Sequence, residues 1–287
     1  MKKAMVIGSL GFIGFSLSKR LLEEGFEVIG IDHFSEKQDQ LKEQKLLEIA
    51  RNSNLIYINN PIENLTLQEV AENCDILYYC LYDSDINKNN INTKRAKMKE
   101  ILKKIMDYCN EITCKFVYLS SYESINQRNE IGQMKMEEEY EIEKYSKLNK
   151  NFSFHILQLP TVYGPWQPDS MTFQQLIMGK DSPTIDPIRE DAIFVEDLVE
   201  ILLELPTDLD VNKTIKISSN RKNQWQEGVN LIKGILNPKQ EPSELEVKNT
   251  EDQAFYHRHL QTTLEEGIRQ QKEHYKYLQK LKALGLI

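Results

Sequence analysis

An apolar run ending in three evenly spaced glycines, AMVIGSLGFIG at residues 4–14, constrains this chain more than any other stretch. Gly8, Gly11 and Gly14 follow a strand-like segment and open a helix-like one. In such a turn the first glycine permits a tight reversal. The next lets backbone approach a diphosphate, and the third lets helix and strand pack closely. Amides at the helix N-terminus, with the helix dipole, then favour negative charge. Asp32 stands at the end of the second apolar run, EVIGI (27–31). An acid there accepts hydrogen bonds from ribose hydroxyls and repels a 2′-phosphate. Loop and acid together point to NAD rather than NADP.

Further short apolar runs follow: LIYI (55–58), DILYYCL (75–81), KFVYLS (115–120) and FHILQL (154–159), with helix-like segments between them. Strands that are apolar throughout, alternating with helices, imply a parallel sheet covered on both faces. The expected fold is therefore α/β, a Rossmann-type doubly wound sheet with a smaller C-terminal lobe. The first domain is expected over residues 1–159, with 192–218 packing back on it. Residues 160–191 and 219–287 form the lobe, where Pro160, Gly164, Pro165, Pro168, Pro183 and Pro187 break the pattern.

Charge and cysteine usage narrow the function. A formal net charge of −8 argues against broad nucleic-acid binding. The start, MKKAMVIGSLGFIGFSLS, resembles a signal peptide but lacks an A-x-A-like cleavage site, and its glycines have a better use. No other apolar run reaches membrane-spanning length. Cys74, Cys80, Cys109 and Cys114 lack metal-ligand spacing, as do the five histidines. Reduced thiols and a cytoplasmic location, with no metal, are the expectations. Tyr275, Tyr277, Leu278 and Leu281 read as a packing stripe near the C-terminus.

The G-x-x-G-x-x-G spacing with GFIG resembles the extended short-chain dehydrogenase/reductase family, which includes nucleotide-sugar epimerases and dehydratases. Asn92, YLSS (118–121), LPTVYGPWQPDSM (159–171), REDAIFVEDLVE (189–200) and LEEGIRQQKEHY (264–275) resemble its later motifs in order. The resemblance implies cofactor contacts at Gly8, Leu10, Gly11, Phe12, Ile13, Gly14, Asp32, His33, Asn60, Pro61, Ile62, Leu81, Lys135, Pro160 and Val162. It implies Ser121 as the residue holding the reacting hydroxyl, Thr161 and Arg189 on the substrate side, a nucleotide-sugar substrate, and a homodimer.

One motif is altered. IGQMK (131–135) aligns with the family's YGxSK, so Ile131 replaces the tyrosine while Gly132 and Lys135 remain. In the family that lysine bonds the nicotinamide ribose and lowers the phenol pKa, and the phenol moves the substrate's proton. Isoleucine has no ionisable group. Tyr122, Glu123, Glu130 and Tyr140 are the candidate substitutes. Glu190 also aligns with an arginine of the family, although Arg189 stands beside it, and Gln158 stands where arginine is usual. Two readings follow. One is an NAD-dependent epimerase or dehydratase acting by hydride transfer on a sugar carbinol. The other is a catalytically impaired NAD-binding member acting as a sensor or assembly subunit.

Overall fold

A computed structural model describes residues 2–34, 39–81, 91–126, 129–185, 188–208, 212–235, 254–256 and 261–287. His257 and His259 lie outside the described residues. Two compact units are present. One comprises residues 1–158 with 203–214, the other 159–202 with 215–287. Of the segment 192–218 expected to rejoin the first domain, residues 203–214 fall with it.

The first unit alternates strands and helices: β1 (Lys3–Ile7), α1 (Phe12–Glu23), β2 (Glu27–Asp32), α2 (Gln40–Ile49), β3 (Leu55–Asn59), α3 (Leu67–Val70), β4 (Ile76–Tyr79), α4 (Ile91–Ile112), β5 (Lys115–Ser121), α5 (Tyr122–Asn126), α6 (Glu130–Leu148) and β6 (Ser153–Leu159). Its strands lie in the order β6-β5-β4-β1-β2-β3. The chain winds outward from β1 to β3, then crosses back to β4, which makes β1/β4 the topological switch point. Parallel register sets Ile7 between Ile31 of β2 and Tyr79 of β4, so three strand ends converge where the glycine turn begins.

Burial on both faces explains the unbroken apolar runs. Ala4, Met5, Val6 and Ile7 are all buried, although successive side chains point to opposite faces. On one face Met5, Ile7, Leu77, Phe116 and Ile156 join Leu67 of α3, Ile101 and Ile105 of α4, and Ile142 of α6 in one core. Tyr79 stacks on Tyr118 within it, ring centroids 5.6 Å apart. α1 packs on β1 and β2, burying Phe15, Leu17 and Leu21.

The second unit contains β7 (Thr161–Tyr163), α7 (Thr172–Ile177), β8 (Ala192–Phe194), most of β9 (Lys213–Ile217), α9 (Gln224–Lys233), β10 (Ala254–Tyr256) and α10 (Leu264–Ala283). α8 (Val195–Asp208) begins in it. β7 pairs with β8, and β10 with β9, both parallel. Tyr163, Phe173, Phe194, Trp225 and Ile268 form its core. The stripe expected on α10 is corrected: Leu278 is buried, but Tyr277 is 48% exposed. The buried face instead runs through Leu264, Gly267, Ile268, Gln271 and Leu278, a helical spacing that leaves Tyr277 to solvent.

Gly14 fixes how α1 meets the sheet. A Cβ at this position would lie 2.1 Å from the carbonyl oxygen of Gly8, which is backbone and cannot step aside. Gly14→Ala is therefore expected to destabilise the fold by about 3 kcal/mol. Urea unfolding followed by circular dichroism would read the loss.

Candidate functional site

The glycine turn is built on backbone contacts. Gly8 adopts φ +84°, the left-handed region, and its N–H donates to the Ile31 carbonyl at 2.8 Å. Gly11 N–H returns to the Gly8 carbonyl at 3.0 Å, closing the turn. α1 then starts with Gly11 as its N-cap, with no side-chain cap and no acid in the first turn. Its leading amides, at Phe12 and Ile13 among others, are left for an anion.

Asp32 binds this loop to β2. Its Oδ2 accepts the Leu10 N–H at 2.8 Å, and its Oδ1 accepts the His33 N–H at 2.7 Å. Asn60 N–H donates to the Asp32 carbonyl at 3.1 Å, so the chain after β3 is drawn to the same point. A cavity of about 380 Å³ opens there, lined by Asp32, His33, Asn60, Pro61, Ile62 and Leu81. These six sequence-derived contacts thus converge. Lys42, Glu63, Lys94, Lys97, Met98 and Ile101 also line the cavity and were not read from the sequence. They come from α2, the turn after β3, and α4, so only folding brings them to the acid.

The residues fit an adenine dinucleotide. The turn would be filled by any Cβ at Gly14, the helix start is free of acids, and a buried carboxylate lies beside a cavity. Behind the loop Lys45 is buried and donates to the Leu10 carbonyl at 3.0 Å. Burial brings its pKa down to about 8, a fall that nearby Asp32 opposes.

The second cluster sits between β5 and α6. Lys135 is 4% exposed, and its ammonium donates to the Tyr118 hydroxyl at 2.9 Å and pairs with Glu138 at 3.5 Å. Tyr118 in turn donates to Glu138. Burial, then the Glu138 charge, hold the Tyr118 phenol well above its ordinary pKa. A turn further along, Glu139 accepts from Ser120 and from Gln158, the latter at 3.0 Å, and burial raises its carboxyl pKa. Gln158 is thus a neutral donor to Glu139.

Ser121 and Lys135 are not among the described residues lining the 380 Å³ cavity, and no bond joins them to each other among those described. Ser121 Oγ instead accepts the Glu123 N–H at 3.2 Å. Glu123 accepts from Asn129 at 2.6 Å, and Asn129 caps α6 by accepting the Gly132 N–H at 2.7 Å. Gly132 permits this approach, because a Cβ there would come within 2.3 Å of the Glu123 carbonyl oxygen. The first turn of α6, with Ile131 in it, is thereby held against α5. In the second unit Pro160 and Thr161 are buried, and Thr161 donates to the Ile188 carbonyl at 2.8 Å. The Val162 carbonyl accepts from Gln167 at 2.8 Å, and Arg189 is exposed.

Residues 4–217 match the NAD dependent epimerase/dehydratase family. A probable UDP-glucuronate 4-epimerase of Rhizobium meliloti (strain 1021) is 25% identical over 228 residues, covering 70% of this chain and 67% of that protein. Protein CapI of Staphylococcus aureus is 24% identical over 235 residues, covering 71% and 69%. Among solved structures, UDP-glucuronic acid 4-epimerase from Bacillus cereus in complex with NAD superposes with a TM-score of 0.75 at 20% identity, covering 96% of this chain and 99% of that one. The dTDP-glucose 4,6-dehydratase of Bacillus anthracis str. Ames in complex with NAD gives 0.74 at 14% identity, covering 98% of both. At these identities the structural likeness is one of fold.

Two outcomes follow from the buried charges. Lys135→Met leaves the Glu138 carboxylate without its cation and should cost about 3 kcal/mol, most of it regained by adding Glu138→Leu. A double-mutant cycle in urea would show the coupling. Lys45 binds its proton less tightly when folded, at about 8, than at its ordinary 10.5. Between those values the unfolded chain holds the extra proton, so the stability of wild type relative to Lys45→Met should rise as pH increases from 8 to 10. Unfolding curves of both proteins across that range check the sign.

Proposed function

The chain belongs to the NAD dependent epimerase/dehydratase family, and on that basis we propose that it is an NAD-dependent epimerase or dehydratase acting on a nucleotide-sugar. The observation that supports this reading is the Asp32–Leu10 bond, since it holds a carboxylate of the kind that accepts ribose hydroxyls against the glycine turn at the switch point. Bound NAD supplies a hydride acceptor and donor. The protein's part is to orient the sugar carbinol and to take its hydroxyl proton as the C–H bond gives up its hydride and the carbonyl forms. Return of hydride to the opposite face gives an epimer, whereas loss of water from the ketone, followed by return of the hydride to the resulting C=C bond, gives a deoxy-keto sugar.

Ser121 holds the reacting hydroxyl in this proposal, with Thr161 and Arg189 on the substrate side. Lys135 faces the ribose in related enzymes by resemblance. Here its ammonium is bonded to Tyr118 and Glu138, so it takes that part only when this contact opens. Glu123 is the proton acceptor we favour among the four candidates. It lies two residues from Ser121, is tied to it through its own N–H, and abuts the turn that carries Ile131. Tyr140 is 62% exposed, and the Tyr122 ring is packed in the core. Family membership does not favour the rival reading of a sensor or assembly subunit.

The homodimer belongs to the same proposal, through α4 and α6, where Arg95 and Lys99 stand near Glu137 and Glu141. So does a cytoplasmic location. Among the described residues no helix is long and apolar enough to cross a membrane.

Proton NMR of UDP-, dTDP- and GDP-sugars incubated with NAD and the purified protein tests the reaction. One of them should give a new sugar product, and the absence of any product with NAD bound would overturn the reading. Glu123→Gln should lower kcat by about 100-fold or more while leaving NAD affinity unchanged, within the range for loss of a general base. An unchanged kcat would remove Glu123 from the role.

A further inference from the structure

Read from sequence, Asp32 excludes a 2′-phosphate by charge. The fold changes that arithmetic. Lys42, in the first turn of α2, places its ammonium 2.8 Å from Asp32 Oδ1 and 2.9 Å from the His33 carbonyl, at the wall of the cavity. Lys45 lies behind, bonded to the Leu10 carbonyl at 3.0 Å. Asp32 itself already accepts three bonds, from Leu10, His33 and Lys42, out of the roughly four that a carboxylate offers. Among the described residues, two of the three Lys42 donors go to Asp32 and His33, which leaves one for an incoming oxygen. Asp39 adds a carboxylate 3.8 Å from Lys42, but it is more exposed than Asp32 and more strongly screened.

Resting on the NAD reading above, we propose that Lys42 sets the cofactor specificity of this site. By neutralising Asp32, it lets NADP bind beside NAD. A cation this close to the carboxylate cancels most of its field at the distance of a bound phosphate, leaving the weaker field of an ion pair. Lys94 and Lys97 add cations to the same cavity wall, against Glu63, which pairs with Lys97. A lysine ammonium is a compact point charge suited to a phosphate oxygen, which is the part an arginine plays in NADP sites of this kind. Lys42 is a residue of the ribose end of the site and has no part in the hydride chemistry.

Equilibrium binding of NAD and of NADP by isothermal titration calorimetry tests this without any substrate. The wild type is expected to bind NADP within about tenfold of NAD. Lys42→Met should weaken NADP by at least about tenfold more than it weakens NAD, while Lys42→Arg keeps both. Thermal melts of the variants establish that they are folded. Wild-type NADP binding more than tenfold weaker than NAD, or equal losses for both dinucleotides in Lys42→Met, would overturn the proposal and leave the NAD reading intact. Failure of folded wild type to bind either one would overturn both.

Discussion

The nucleotide end of this protein depends on one backbone-to-backbone approach. α1 can reach the turn after β1 only because Gly14 carries no side chain, since a single methyl there would occupy the space of the Gly8 carbonyl oxygen. From that contact the rest follows in order. The Leu10 N–H is aimed at Asp32, the end of β2 is held beside β1, and the chain after β3 closes on Asp32 through Asn60. These are main-chain geometries at strand ends, so the site is as rigid as the sheet that presents it.

The sheet and its glycine turn were legible in the sequence because both have a local signature. Strands buried on two faces are written as unbroken apolar runs, and a turn needing positive φ writes a glycine. Asp32 was legible because its place at the end of β2 is a matter of counting. Lys42, Lys94 and Lys97 were not, since nothing local distinguishes them from the many lysines on solvated helix faces. Their approach to the cavity is a product of how α2 and α4 cross the strand ends. Lys135 is an intermediate case. Its position after Gly132 was visible, but its partners Tyr118 and Glu138 lie on β5 and one turn along α6, and the sequence offered no reason to join them. Short β7 and β10 escaped for a simpler reason: three residues carry too little periodicity to be read.

Polar groups under α6 are arranged as two linked sets, one around Lys135 and one around Glu139. The buried Glu138 and the half-buried Glu139 each accept a hydroxyl from β5, from Tyr118 in one case and from Ser120 in the other. Such bonds offset much of the cost of burying the groups, and they tie helix to strand at a defined height. α6 is therefore positioned twice, by Gly132 against α5 at its start and by these hydroxyls further along. Ile131 sits next to the first of those fixings, on a turn held against α5.

The engagement of Lys135 also bears on how such a site could acquire a phenol–lysine pair. A tyrosine placed at 131 would meet an ammonium already committed to Tyr118 and Glu138. Removing Glu138 alone would loosen α6 with no phenol yet present to benefit. Each step taken singly is unrewarded, so the two positions form a small valley in the mutational landscape. A chain on one side of that valley would stay there under single substitutions, its lysine retained by packing whatever becomes of its chemistry.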